Sequence, residues 1–318
     1  MKYRLLLILL LISSFSAAQT FQEWKSRAEK GEVEAMHQMG RFYFVGDSVQ
    51  QDFKIALSWF QRGVEHNYPH SIYNVALCNL IGAGVRTDTI KAIQILHQAI
   101  ALGYTPAMGG LATIYRNGGT YANTDSCVYW ERKAAELGDT YSQCMLSIYY
   151  ECGFGVEVNL EEAFKWLLLA AEQGDEMAEE GVAICYRDGK GVQQDSEKMI
   201  YWLEKAAIDG RNNSLVYLGF LYQQGLYGLT IDKNKAFELF KIAADSGDSW
   251  GAFELGQCYR YGKGTTQDKE LARFWIKKAA DEGFQSAVDA WKEIDTGIDE
   301  NELRLKNEEY KQWFDTNR

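Results

Sequence analysis

The sequence predicts an all-α protein: an α-solenoid of about seven helix-turn-helix repeats of ~36 residues, with a capping helix at each end. Three observations carry this. The chain repeats itself: Ala35, Ser71, Ala107, Ser142, Ala178, Ser214, Gly251 and Ala287 are equivalent, at spacings of 36, 36, 35, 36, 36, 37 and 36. Counting from these residues, offset 4 is always large and apolar (Met39, Val75, Leu111, Leu146, Val182, Leu218, Leu255, Trp291). Offset 11 is always glycine (Gly46, Gly82, Gly118, Gly153, Gly189, Gly225, Gly262).

The elements follow in order. Lys2 and Arg4, the run Leu5 to Ile12, and Ser16-Ala17-Ala18 read as a secretory signal peptide over residues 1–18. The apolar run is too short to span a bilayer of about 30 Å. Export is therefore expected, to the periplasm or the medium, with no stable membrane insertion after cleavage. Residues 19–34 match a second helix without its first, through Trp24, Ala28 and Gly31, and are expected to cap the array.

Residues 35–295 form the repeats. Offsets 0, 4, 5, 7 and 8 share one arc of a helix at 100° per residue and should face the core. Offset 5 is small in all seven full units (Gly40, Ala76, Ala112, Ser147, Ala183, Gly219, Gly256), which lets a neighbouring helix approach. Offset 8 is Tyr in six of them, Asn79 being the exception. Gly at offset 11 stops the first helix in the left-handed conformation. The second helix starts near offset 18 behind an Asp or Asn cap such as Asp52, Asn159, Asp195 or Asp268. It buries a Trp (Trp59, Trp130, Trp166, Trp202, Trp275) and an Ala pair, and a Gly closes most units. A single hairpin cannot bury its apolar face, and stacking makes the core continuous. Glu300 to Phe314, within residues 296–318, reads as a closing helix with Leu303, Tyr310 and Phe314 on one stripe.

Gly262-Lys263-Gly264 followed by Asp268, Ala272, Trp275 and Lys278-Ala279-Ala280 resembles the Sel-one-like repeat family, as does Tyr186 to Val192 followed by Trp202 and Lys205-Ala206-Ala207. The third unit departs from the pattern at Thr120 to Thr124, and the sixth inserts residues around Leu226 to Ile231. The resemblance implies a tetratricopeptide-like scaffold or adaptor and no enzyme. Cysteine-rich exported members are associated with binding or hydrolysing penicillin-like compounds, so a cell-wall-related binder or hydrolase of such compounds or peptidoglycan fragments is the alternative.

Composition and motifs bear on that choice. A net charge of −11 argues against a nucleic-acid partner. Gly247-Asp248-Ser249-Trp250-Gly251 spells a nucleophile elbow, but falls at a turn between units rather than after a strand. Ser-x-x-Lys, the acylation motif of penicillin-recognising enzymes, does not occur. With four His, no His-Glu-x-x-His and no paired Cys-x-x-Cys, no metal site is expected, and the Gly-x-Gly loops lack the third Gly and the strand of a dinucleotide site. No catalytic residue and no cofactor are assigned.

Cys78, Cys185 and Cys258 share offset 7 and read as small core residues. Cys127 starts one second helix and Cys152 ends the next first helix. Antiparallel packing should bring those ends together, so a Cys127–Cys152 disulfide is expected.

Offsets 2, 6 and 9 point away from the core arc. Offset 6 carries Arg41, Leu77, Thr113, Ile148, Ile184, Phe220 and Gln257; offset 9 carries Phe44, Leu80, Arg116, Glu151, Arg187, Gln223 and Arg260. Solenoids bind along a concave surface. Arg41, Phe44, Leu80, Arg116, Arg187, Phe220 and Arg260 are therefore the candidate groove residues for a protein or peptide partner, the arginines serving to hold carboxylates.

Overall fold

The computed structural model describes residues 21–117 and 119–296. The signal-peptide and closing-helix expectations, and Gly118, fall outside these residues. The described chain is a succession of antiparallel helices with no strand. It divides at Val158 and Asn159 into two compact units.

The first unit contains α1 (helical residues 21–29), α2 (Val33–Val45), α3 (Phe53–Glu65), α4 (Pro69–Ile81), α5 (Thr89–Ala101), α6 (Pro106–Asn117), α7 (Thr124–Glu136) and α8 (Thr140–Cys152). The second contains α9 (Leu160–Glu172), α10 (Glu176–Asp188), α11 (Ser196–Ile208), α12 (Asn212–Gln224), α13 (Lys233–Asp245), α14 (Ser249–Tyr261), α15 (Lys269–Asp281) and α16 (Gln285–Thr296). Even-numbered helices are the first helices of their repeats and odd-numbered ones, from α3, the second.

Local chemistry sets both ends of each hairpin. The described offset-11 glycines adopt left-handed φ, such as +83° at Gly46 and +64° at Gly262, and their N–H groups bond the carbonyl four residues back. The Asp or Asn cap of each second helix accepts from first-turn N–H groups, as Asp195 does from Lys198 at 3.0 Å. A further tie was not read from the sequence. The N–H of the cap bonds the carbonyl at offset 8: Asp52 to Tyr43 at 2.9 Å, Asp88 to Asn79 at 2.8 Å, Asp268 to Tyr259 at 2.9 Å. Because a main-chain oxygen makes this bond, Asn79 replaces Tyr without breaking the connection. The buried Asn79 amide instead donates to Val75 O at 2.7 Å.

The small residue at offset 5 has a concrete neighbour. A Cβ added at Gly40 would fall within the ring of Phe60, and one added at Gly219 within that of Phe240. Both rings are fully buried. The second Gly of the Gly-x-Gly loops is equally constrained: a Cβ at Gly191 would overlap the Leu160 carbonyl, which begins the preceding second helix. These loops are helix stops and packing contacts.

The two irregular repeats deviate locally. A single 3₁₀ turn, Gly119–Tyr121, replaces the regular loop in the third. In the sixth, Tyr227 and Gly228 take positive φ, absorbing the insertion before α13. Buried clusters join successive helices in each unit. In the first, Ile72, Ala76, Leu96, Ala107, Leu111 and Ile114 meet across α4, α5 and α6, and α1 packs Phe21, Trp24 and Ala28 onto Met36 and Met39 of α2. In the second, Val216, Phe240, Ala243, Leu255, Ile276 and Ala287 join α12 to α16.

Candidate functional site

Successive first helices touch one another and so line one face of each unit. In the first, His37 of α2 reaches Ser71 of α4, Nδ1 to Oγ 3.4 Å, and Arg116 of α6 donates to Tyr141 and Tyr149 of α8, both at 3.2 Å. In the second, the Arg187 guanidinium of α10 lies 5.9 Å from the Tyr217 ring centre of α12, and Phe220 of α12 lies 5.6 Å from Trp250 of α14. All seven candidate groove residues sit on these helices.

Their surroundings divide them sharply. Phe44 is half-buried against Phe53 and Phe60, with ring centres 5.3 and 6.4 Å away. Leu80 packs on the Ile72–Leu111 core, and Phe220 lies against Phe240 at 5.5 Å. These three spend much of their apolar surface internally. Arg116 is held by two tyrosine hydroxyls, and its Nη1 lies 3.8 Å from the Glu131 carboxylate. Arg187 pairs with Asp188 at 2.7 Å. Arg41 stays exposed, with a weak contact to Gln38 at 3.4 Å. Arg260 alone of the four is enclosed with Nη1 unpartnered.

In each unit the outward face also carries exposed apolar residues that the candidate set left out. Tyr141 and Ile148 of α8 are 54% and 51% exposed; Met177 and Ile184 of α10 are 63% and 38% exposed. Ile148 and Ile184 occupy offset 6. Tyr141 and Met177 lie seven residues earlier on the same stripe. That heptad spacing was the available signal.

Two buried carboxylates occupy places where most other repeats are apolar. Glu131 stands eight residues after its helix cap, where Phe60, Leu96, Phe240 and Ile276 stand in other repeats, and is fully buried. Burial pushes its pKa up, opposed by Ser142 and Arg116. Glu179, at offset 1 beside the equivalent Ile72 and Leu215, pairs with Lys205 Nζ at 2.7 Å. That Lys also donates to Ala171 O at 3.1 Å, tying one Lys-Ala-Ala run to the Ala pair of the repeat before. Arg116 is thus the counter-ion of a core carboxylate, and its place on the outer arc follows from that task.

The expected Cys127–Cys152 bridge is corrected: both are free thiols. The start of α7 and the end of α8 do lie together. The residue facing Cys127 Sγ, however, is Tyr149, its hydroxyl 3.3 Å away and one turn before Cys152. Cys152 is exposed, with its sulfur 4.0 Å from Tyr149 O. Cys78 and Cys258 are core residues, and burial pushes their thiols up to about 11 and about 12. Cys185, at the same offset, is half-buried.

At the elbow-like pentapeptide, Asp248 is the cap of α14, accepting from Gly251 N at 2.6 Å, and the Ser249 hydroxyl bonds Glu282 at 2.8 Å. Ser249 thus sits in a helix start. Among the described residues no three His, Cys, Asp or Glu cluster to hold a metal ion, and no helix is long and apolar enough to cross a membrane.

Comparison with known proteins agrees with this architecture. The Sel1 repeat matches seven times in succession, over residues 33–68, 69–104, 105–139, 140–175, 177–210, 213–248 and 251–284. A Sel1 repeat protein from Oxalobacter formigenes has a similar solved structure: TM-score 0.66 and 28% identity, covering 88% of this chain and 81% of that one. Two curated relatives are each 28% identical. Chitin synthase regulatory factor 3 of Schizosaccharomyces pombe aligns with 83% of this chain and 22% of its own length. Chitin synthase regulator SKT5 of Saccharomyces cerevisiae aligns with 86% and 41%. The chain thus spans less than half of the curated relatives it matches. With seven matched repeats covering most of its length, the chain belongs to the Sel1 repeat family.

Proposed function

We propose that this protein is an exported scaffold that holds a protein or peptide partner along the face lined by its first helices, without a chemical step of its own. The observation that carries the reading is the exposed apolar ridge on those helices, Tyr141 and Ile148 in one unit and Met177 and Ile184 in the other. Large apolar side chains set at heptad spacing on a surface helix offer anchors for a partner. Relatives named as regulators of chitin synthase support a role exerted on another protein. Export rests on the character of residues 1–18.

The test is cross-linking mass spectrometry of the mature chain in envelope extract of its own host. A discrete protein joined through residues of α4, α8, α10 or α14 is the expected result. Cross-links confined to the second helices would overturn the reading. So would covalent labelling of the chain by a fluorescent penicillin, which would move the weight to wall chemistry.

A further inference from the structure

Three arginines occupy offset 9, in the third, fifth and seventh repeats. The next first helix answers the first two with tyrosine. Arg116 meets Tyr141 and Tyr149, at offsets −1 and 7 of α8. Arg187 meets Tyr217, at offset 3 of α12. The residues of α16 at those three offsets are Ser286, Ala290 and Ile294. α16 thus offers Arg260 no phenol, and the guanidinium lies instead 5.4 Å from the ring centre of its own neighbour Tyr261. Yet Arg260 is 9% exposed, and its Nη1 is sealed with no hydrogen-bond partner. One turn earlier on α14, Gln257 Oε1 is likewise enclosed and unpartnered.

An enclosed donor or acceptor left unsatisfied is costly, and more so when charged. Arg260 cannot escape that cost by losing its proton. Gln257 and Arg260 are three residues apart, neighbours on one helix face with a backbone rise of about 4.5 Å between them. A peptide offers the complement at that spacing: a side-chain carboxylate beside a main-chain N–H. A single guanidinium suits the one negative charge of a carboxylate. A phosphate dianion would leave one negative charge unmatched.

We propose that Arg260 and Gln257 form a subsite for an Asp or Glu side chain of a bound peptide, the guanidinium taking the carboxylate and the Gln257 carbonyl accepting the adjacent main-chain N–H. This rests on the reading that the first-helix face binds peptide, and it assigns that face its one polar specificity. Trp250, on the same stripe, with Phe220 beside it, supplies the apolar wall.

The test uses the full mature chain on an array of random hexapeptides in which every Asp- or Glu-containing member is matched by its Asn or Gln counterpart. The acidic member of bound pairs is expected to bind about tenfold more tightly, as one charge-assisted hydrogen bond implies. Arg260→Gln should abolish that preference and Arg260→Lys should keep part of it, both with unchanged helical circular dichroism. Arg86→Gln, in an exposed loop, should leave it intact. Equal binding of acidic and amide members overturns the subsite and leaves the scaffold reading standing; no binding of any peptide overturns both. A preference that emerges only in an Asp299→Asn, Glu300→Gln, Glu302→Gln variant would overturn the assignment to a partner, because this chain's own carboxylates would then compete for Arg260.

Discussion

At the scale of single residues, the offset-5 position shows how a size rule arises from one contact. Gly219 is small because the Phe240 ring occupies the space of its missing side chain. Gly219→Val should therefore destabilise the second unit by about 1–3 kcal/mol through overpacking, and Phe240→Ala by about 3–5 kcal/mol through the cavity it leaves, both read from urea unfolding. Two titrating residues should act with opposite sign. Burial pushes Glu254 up to about 7, so its folded form holds a proton that the unfolded chain releases. Its stabilising contribution is complete below about pH 4.5 and is lost as pH rises through 7. His37 is lowered to about 4 by burial, then by His70 and Arg41. Its contribution is present above about pH 6.5 and is lost as pH falls through 4. Hydrogen exchange across pH 4 to 8 should show α14 loosening toward the alkaline end and α2 toward the acid end. Glu254→Gln should remove the first trend alone.

At the scale of elements, much was legible because each position was written seven times. Glycine at offset 11, an Asp or Asn cap, and Trp with an Ala pair located both helices of a repeat, since stop, start and buried face each have one residue chemistry that suits them. Asp195→Ala should cost about 0.5–2 kcal/mol, with the loss in exchange protection concentrated in α11, because solenoid stability is a sum of local terms. What the sequence did not reveal depends on main-chain bonds within a repeat and on the register of packed helices. The offset-8 residue looked like a tyrosine requirement, but its carbonyl makes the connecting bond, which is why Asn79 is tolerated. Cys127 and Cys152 lie at adjoining helix ends, but a one-turn difference in register gives Cys127 the Tyr149 hydroxyl instead. Alkylation of the native protein without reductant should label Cys152, while Cys78, Cys127 and Cys258 react only after unfolding. An intact mass matching a Cys127–Cys152 bridge would contradict the structure.

At the scale of the whole molecule, the repeated helices fix in each unit which face carries first helices, and that face was legible from offsets 2, 6 and 9. Which of its residues are free was not. Arg116, Arg187 and Arg260 look equivalent along the chain. Arg116 is taken by two tyrosines of the helix that follows and Arg187 by Asp188 beside it, while Nη1 of Arg260 has no hydrogen-bond partner. Phe44, Leu80 and Phe220 were chosen for bulk on the outward arc, yet each leans into its own core. The exposed apolar residues at offset 6 are Ile148 in the first unit and Ile184 in the second. The second helices also expose aromatic residues, Tyr129, Tyr201 and Phe274, each edge-on to its neighbouring Trp, so exposure by itself does not choose between the two faces. The central claim is that the first-helix face holds the partner. The most direct measurement places a photoreactive amino acid at Ile148 or Ile184, and in separate chains at Tyr201 or Phe274, and irradiates each in the native host. A shared protein adduct from the Ile148 and Ile184 chains, absent from the Tyr201 and Phe274 chains, is the expected result; the reverse pattern would contradict the account.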